Sequence, residues 1–127
     1  MEVLPMDILK LIADNYYTPI ITNKTYNNKF YMIIIYPSNK IKLRLPCDSD
    51  YIGYVYKYVE EFIKNLNMNK YSQLQLASNF KINISQENIK IEHKKVEIKI
   101  QNSELIREQL IEALSFYLSY LADEDSM

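Results

Sequence analysis

Alternating apolar and polar residues between positions 80 and 100 constrain the fold of this chain most strongly. Apolar side chains recur at every second position over Phe80–Ile84 and again over Ile89–Glu92. A period of two is typical of a β-strand with one buried face. A two-residue loop at Gln86-Glu87 would join both segments into an antiparallel hairpin. The expected cross-strand pairs are Ile84 with Ile89, Ile82 with Ile91, and Phe80 with His93.

The apolar phase changes after Lys94-Lys95, where Val96, Ile98 and Ile100 become the apolar set. A period-two pattern changes phase at a bulge or at a turn. A turn would place Ile98 opposite Ile91, but it would also oppose like charges, which is unfavourable. The opposed pairs would be Glu92 with Glu97 and Lys90 with Lys99. The pattern leaves a bulged strand and a hairpin equally open over residues 88–100.

A second hairpin is predicted earlier in the chain. Phe30–Tyr36 is a dense run of β-formers, Pro37–Lys40 has turn chemistry, and Ile41–Leu45 alternates. The expected pairs are Tyr36 with Ile41, Ile34 with Leu43, and Met32 with Leu45. Residues 18–29 are polar, with Ile20 and Ile21 as a short strand, and residues 71–77 indicate one more strand.

Three helices are predicted from apolar stripes at helical spacing. The first covers Leu4–Tyr16 and the second Tyr51–Asn67, with Asp48 or Ser49 as its N-cap. The third follows a cap at Asn102 or Ser103, and a frayed acidic tail is expected over residues 122–127. The sequence therefore predicts one α+β domain spanning residues 1–127. Its expected architecture is two-layer, with antiparallel sheet or sheets and three helices, in the order α-ββ(β)-α-βββ(β)-α.

The supply of reactive and flexible residues argues against catalysis. Gly53 is the only glycine among 127 residues, so a glycine-rich phosphate loop is excluded. One cysteine and one histidine cannot supply a four-ligand zinc set. A nucleophilic pair would require Cys47 to meet His93 in space, whereas His93 is expected to be a strand-end or packed histidine. We therefore predict a non-enzymatic protein with no catalytic, cofactor or metal site.

The composition and the distribution of apolar and charged residues predict where the protein is located and from which kind of genome it comes. The start of the chain lacks a basic signal region, and the longest apolar run, about Tyr31–Tyr36, is too short to span a bilayer. A single cysteine suits a reducing compartment. These features predict a cytoplasmic protein that does not enter membranes. The excess of Ile, Lys, Asn and Tyr is typical of AT-rich genomes, including those of viruses and phages. We therefore expect an accessory protein that binds a host macromolecule in an infected cell.

Twelve tyrosines favour a binding surface, because tyrosine offers contact area at little entropic cost. Tyr51, Tyr54 and Tyr58 lie along one edge of the second predicted helix and are the candidate partner-binding residues. The last helix is apolar around more than half of its circumference. Its second apolar stripe predicts a homodimer contact through Leu105, Phe116 and Tyr120.

The alternative function is nucleic-acid binding by a sheet face. Lys40, Lys42 and Arg44 lie on one face of a predicted strand, and Tyr31 is among the rings available for stacking. Two observations disfavour this alternative. The formal net charge is -1, and Glu87, Glu92 and Glu97 are interleaved with the lysines of the later strands.

Two resemblances are present. Leu4–Ile12 reads Leu-Pro-Met-Asp-Ile-Leu-Lys-Leu-Ile, which resembles the opening Leu-Pro-x-x-Ile-Leu-x-x-Ile of an F-box. The rest of an F-box is helical, whereas residues 18–45 here predict loop and strands, so a ubiquitin-ligase role is not carried over. The element order is similar to that of small secretion chaperones, which are acidic α+β dimers. That similarity implies a second alternative, a chaperone-like dimer that binds a protein partner.

Overall fold

The computed structural model describes residues 18–39, 41–47, 52–76 and 80–125. The predicted helix Leu4–Tyr16 lies outside these residues, and so do Lys40, Tyr51 and both candidate caps of the second helix. Tyr54 lies within a described helix, but its side chain is not described. The predictions that depend on these positions are therefore not addressed by the fold below.

The described residues form seven strands and two α-helices, with one short 3-10 turn at Pro37–Asn39. Strands β1 to β3 form the first sheet, and strands β4 to β7 form the second, both in chain order and fully antiparallel. The α+β class is confirmed, while the order with three helices is not. The elements are β1 (Ile20–Tyr26), β2 (Lys29–Tyr36), β3 (Ile41–Pro46), α1 (Ile52–Asn67), β4 (Ser72–Leu76), β5 (Phe80–Ile84), β6 (Asn88–His93), β7 (Val96–Gln101) and α2 (Glu104–Asp125).

Both predicted hairpin registers are confirmed. Strands β2 and β3 pair Tyr36 with Ile41 and continue in step to Leu45. Strands β5 and β6 pair Ile84 with Ile89 and Phe80 with His93. In each hairpin the paired apolar side chains share one face, because directly opposed residues of antiparallel strands point to the same side. Burial of that face fixes the register.

The segment after His93 is a hairpin and not a bulged strand. Lys94 lies at the turn with φ of 56°, in the left-handed region. The register opposes Glu92 with Glu97 and Lys90 with Lys99, as the hairpin alternative required. Lys90 Nζ lies 3.8 Å from Glu97 Oε1, on the diagonal between the two like-charged pairs. This diagonal attraction offsets part of the repulsion.

Strand β1 is longer than predicted. The sequence indicated only a short strand at Ile20 and Ile21, whereas β1 continues to Tyr26. The turn into β2 explains the difference: Asn27 and Asn28 have φ of 51° and 63°. Positive φ at both central residues is the geometry of a type I′ hairpin turn, and asparagine tolerates it better than most residues. An Asn-Asn pair between two β segments is therefore a hairpin signal.

One core cluster joins both sheets with both helices. One apolar stripe of α2 is buried in it: Ile106, Leu110, Ala113, Leu114, Tyr117 and Leu121. Helix α2 runs on to Asp125, and fraying of the acidic tail over residues 122–127 stays a prediction. Among the described residues, no helix combines the length and the apolar character that a membrane span requires.

Helix α2 is attached at its start and along its length. Ser103 is the N-cap, since its Oγ accepts a hydrogen bond from the Ile106 amide at 3.3 Å. Further along, the Tyr36 hydroxyl donates to Glu112 Oε1 at 2.7 Å, and Asn39 Nδ2 donates to Gln109 Oε1 at 2.7 Å. Burial, together with that bond to Glu112, raises the pKa of Tyr36 far above its ordinary value. These contacts fasten the end of β2 and the turn after it to α2.

Candidate functional site

A cavity of about 390 Å³ opens between the first sheet and the hairpin β6–β7. We call it the basic cleft. The core-facing residues of β2 and β3, such as Ile34 and Leu43, point to one side of the first sheet, so strand alternation turns Ile33 and Arg44 to the opposite side. The lining residues are Lys24, Thr25, Tyr26, Ile33, Lys42, Arg44, Ile91, His93, Val96 and Ile98.

The charge of this lining is of one sign. Lys24, Lys42 and Arg44 contribute positive charge, and no carboxylate lines the cleft in the part of the chain that the structure describes. The interleaved glutamates that argued against a basic surface do not reach it. Glu92 and Glu97 oppose each other in the β6–β7 ladder, and alternation turns both away from the face that carries His93. Basic and acidic residues therefore alternate along the sequence, but the fold places Glu92 and Glu97 on a different face from the cations of the cleft.

Arg44 is the most constrained cation of the basic cleft. Its guanidinium carbon lies 4.7 Å from the centre of the Tyr31 ring and 5.1 Å from the centre of the Tyr26 ring. Both distances are within the range of cation–π attraction. Its Nη1 lies 3.3 Å from Nε2 of His93. Its Nε is buried and has no hydrogen-bond partner among the described residues. The side chain is therefore fixed in place while part of its donor capacity is unused.

His93 supports Arg44 as a neutral imidazole. An arginine N–H only donates, so Nε2 of His93 is the acceptor and the imidazole proton resides on Nδ1. Burial lowers the pKa of His93 below 6.5, and the positive charges of Arg44, Lys94 and Lys42 lower it further. At neutral pH the histidine therefore orients the guanidinium without adding charge of its own.

Lys94 brings a further cation to the rim of the cleft. Its Nζ lies 5.3 Å from the centre of the Tyr26 ring, which Arg44 also contacts. Tyr26 is 51 % exposed. One tyrosine ring thus lies beside two cations that come from opposite sheets, Arg44 from the first and Lys94 from the second.

The predicted nucleic-acid residues fall partly in this site. Lys42 and Arg44 line the basic cleft, and Tyr31 contacts Arg44, while Lys40 is outside the described residues. Lys24 and Tyr26 were missed because β1 was read as a polar segment, and the Asn27-Asn28 turn signal identifies them. No local signal indicates His93 and Lys94, because the chain folding brings them to the first sheet from about fifty residues away.

The predicted protein-binding residues lie elsewhere. Tyr58 is 61 % exposed and lines a second cavity of about 410 Å³ between α1 and the edge strand β4. On α2, Leu105 is 46 % exposed and Phe116 is 43 % exposed, whereas Tyr120 is half-buried against the core. The exposed part of the predicted dimer stripe is therefore narrower than expected.

The lone thiol and the lone imidazole have different described neighbours. The Cys47 Sγ donates to the Leu45 carbonyl oxygen at 3.6 Å, while His93 contacts Arg44 and packs near the Phe80 ring. Within the described ranges, no group of three or more potential metal ligands was found among His, Cys, Asp and Glu. The chemistry that the basic cleft offers is thus positive charge, hydrogen-bond donors and an apolar wall.

Comparisons with known proteins returned no relative. No protein-family model matches the chain. No curated protein and no solved structure is significantly similar to it either. The function therefore has to be inferred from the site.

Proposed function

We propose that this protein acts by binding and not by catalysis, and that its basic cleft binds single-stranded nucleic acid. The observation that carries the proposal is the segregation of charge: three cations of the first sheet line one cavity, and none of the described lining residues is acidic. Phosphate contacts dominate the affinity of proteins for nucleic acids, and such contacts need local positive charge and not a positive net charge. A formal net charge of -1 is compatible with this local arrangement.

Preorganisation of Arg44 supports the same proposal. Two tyrosine rings and His93 hold the guanidinium before any ligand arrives. A cation that is already ordered loses less conformational entropy on binding than a lysine at the end of a mobile side chain. Arginine is also the side chain best suited to phosphate, because its planar group donates two parallel hydrogen bonds.

The proposal is tested by fluorescence anisotropy of a labelled ten-nucleotide thymidine strand at increasing KCl concentrations. We expect the logarithm of the affinity to fall linearly with the logarithm of salt concentration. The double variant Lys24→Ala/Lys42→Ala is expected to bind at least about tenfold more weakly. Lys57→Ala/Lys64→Ala is the matched control, since it removes the same charge from exposed positions on α1. Equal losses in both double variants would contradict a role for the cleft.

A protein partner is the second candidate. Tyr58 is exposed beside the second cavity, and Leu105 and Phe116 are exposed on α2. Exposed tyrosine and apolar side chains of this kind are enriched at protein interfaces. A homodimer through α2, as in a chaperone-like protein, predicts a mass in solution of twice 15.2 kDa. Light scattering coupled to size-exclusion chromatography measures that mass, and Phe116→Glu should convert a dimer to a monomer.

An accessory role in a virus-infected or phage-infected cell, in the cytoplasm, stays a prediction from composition. It is compatible with either partner class. A host macromolecule that is captured through the basic cleft should be released by salt. One that is captured through Tyr58 or Phe116 should be retained, because apolar contacts are not screened.

A further inference from the structure

We propose that the basic cleft recognises the terminal phosphate of a strand, a phosphomonoester, in preference to the internal phosphodiesters. This inference depends on the proposed nucleic-acid function and specifies its ligand. The shared chemistry is a phosphate with one ester bond, whether it stands at the 5′ or the 3′ end. The reasons are the concentration of charge, the size of the cavity and the occupation of its aromatic rings.

The first reason is charge. An internal phosphodiester carries one negative charge, whereas a phosphomonoester carries about -1.5 to -2 at pH 7. Lys24, Lys42 and Arg44 all line a single cavity of about 390 Å³, and Lys94 lies at its rim. A compact cluster of positive charges is matched best by a compact dianion. A groove that tracks a backbone would instead distribute its cations along the strand.

The second reason is the shape of the lining. The volume of the basic cleft lies near the lower end of the range for small-molecule pockets, which is about 300–1,000 Å³. Opposite the cations, Ile91 and Ile98 of the hairpin β6–β7 form an apolar wall, and Ile33 adds apolar surface beside Arg44 on the first sheet. Ile33 and Ile91 are buried. A cavity of this kind suits one terminal nucleotide, with its phosphate at the cations and its sugar or base against the wall.

The third reason is that the nearest rings already have partners. Proteins that bind the interior of a strand stack successive bases on aromatic side chains. In the cleft, Tyr26 and Tyr31 lie against the guanidinium of Arg44, and Tyr26 also lies beside Lys94. These tyrosines therefore hold cations in position. Because its tyrosine rings hold cations, the cleft is suited to a highly charged phosphate and not to the stacking of several successive bases.

Arg44 is consistent with this ligand, because its side chain lines the cleft and its enclosed Nε has no acceptor among the described residues. Among the side chains that the structure describes, Arg44 Nε is the only buried nitrogen or oxygen atom for which no hydrogen-bond partner is found. A buried donor without an acceptor is unfavourable, and such groups are often found at functional sites. A phosphomonoester brings three acceptor oxygens to this guanidinium.

The test compares three thymidine ten-mers that differ only at their ends: 5′-phosphate, 3′-phosphate, and hydroxyl at both ends. Each strand carries a fluorophore on an internal base, and anisotropy gives its Kd at 100 mM KCl. We expect one phosphorylated strand to bind about tenfold more tightly than the hydroxyl strand. The preferred strand identifies the recognised end. In Lys24→Gln and in Lys42→Gln the ratio should fall towards one, whereas Lys57→Gln should keep it.

The outcomes separate this inference from the proposed function. Equal affinity for all three strands, with salt-dependent binding, would overturn terminal recognition and leave nucleic-acid binding standing. No binding to any strand would overturn both. A peptide with a free C-terminal carboxylate that displaces the phosphorylated strand at lower concentration than unlabelled strand would also overturn the inference, because the cleft would then select a carboxylate. Circular dichroism of each variant verifies that the fold is retained.

Discussion

The outward faces of the two sheets contain similar side chains but combine them differently. On the second sheet, Lys90 and Lys99 stand next to Glu92 and Glu97, and Lys90 Nζ lies 3.8 Å from Glu97 Oε1. On the first sheet, the rings of Tyr26 and Tyr31 lie against Arg44, and no described carboxylate lines the cleft beside Lys24 and Lys42. The comparison teaches that lysine content does not identify an anion site. What matters is whether the fold places acids beside the bases.

The largest effect is expected from reversing one charge in the cleft. Lys42→Glu places a carboxylate beside Arg44 and should weaken oligonucleotide binding by about 100-fold, because like charges at an interface cost several kcal/mol. Lys99→Glu makes the same change on the second sheet, where the new carboxylate faces Lys90. That control should change the Kd by less than about twofold. Anisotropy titrations at one salt concentration measure both, and similar losses would remove the distinction between the faces.

Acidification should strengthen binding by a smaller factor. The pKa of His93 lies below 6.5 in the free protein because of burial and the neighbouring cations, and a bound anion raises it. We therefore expect several-fold tighter binding of the strand with hydroxyl ends, whose phosphodiesters do not titrate in this range, as the pH falls from about 7.5 to about 5.5. His93→Gln should bind with little pH dependence beyond that of the oligonucleotide. A wild-type affinity that weakens on acidification would contradict this prediction and indicate that the hydrogen bond to Arg44, and not the added charge, dominates the effect of His93.

Protonation of His93 is expected to strengthen binding, but it should lower the stability of the free protein. A histidine whose folded pKa is lowered binds its proton more tightly in the unfolded chain. The penalty is therefore absent well above pH 6.5, develops as the pH falls from 6.5 towards the lowered pKa, and is complete below it. Urea denaturation should show the free energy of unfolding falling over this range, and less so in His93→Gln. Acidification would thus improve binding while it destabilises the unliganded fold.

The removal of a single positive charge from the cleft should have a smaller effect, which is measured in the salt dependence of oligonucleotide binding. Lys24→Ala should reduce the slope of log affinity against log salt concentration by about 0.7, the value for one contact to a single strand. Lys81→Ala on the second sheet should leave the slope unchanged, because Lys81 opposes Glu92 on the outward face. Titrations at four or more KCl concentrations measure the slopes. An unchanged slope in Lys24→Ala would place the phosphate contacts outside the cleft.

The smallest effect concerns the hairpin turns of the two sheets. The first sheet uses Asn27 and Asn28 at positive φ, whereas the second uses Lys94 with φ of 56°. A lysine is disfavoured there by about 1 kcal/mol or more, so Lys94→Gly should raise the free energy of unfolding by up to about 1 kcal/mol. Lys95→Gly is the control and should lower it, because Lys95 is not at positive φ. Urea denaturation measures both changes.

The lysine at that turn is consistent with a role in the cleft, because its Nζ lies 5.3 Å from the Tyr26 ring centre. Lys94→Gly should then stabilise the fold and weaken oligonucleotide binding at once. A variant that gains stability and keeps its full affinity would show that the position is only strained.

Local patterns predicted the hairpins, and tertiary placement limited prediction of the site. Period-two alternation gave the pairs Tyr36–Ile41 and Ile84–Ile89 correctly, because one buried face permits one register. The same alternation could not decide between bulge and hairpin at Lys94, since the cost of opposed charges depends on diagonal neighbours such as Lys90 and Glu97. It placed Lys42 and Arg44 on one face. It could not show that His93, from another sheet, contacts Arg44.

The attachment of the β2–β3 turn to α2 has a consequence for genetic screens. Asn39 Nδ2 donates at 2.7 Å to Gln109, which is only 6 % exposed, and the Tyr36 hydroxyl reaches Glu112. The strand that presents Lys42 and Arg44 begins two residues after Asn39. Substitutions at helix positions that never meet a ligand should therefore be recovered as loss-of-binding alleles. If these alleles were interpreted without the structure, the binding surface would be assigned to helix α2 and not to the basic cleft.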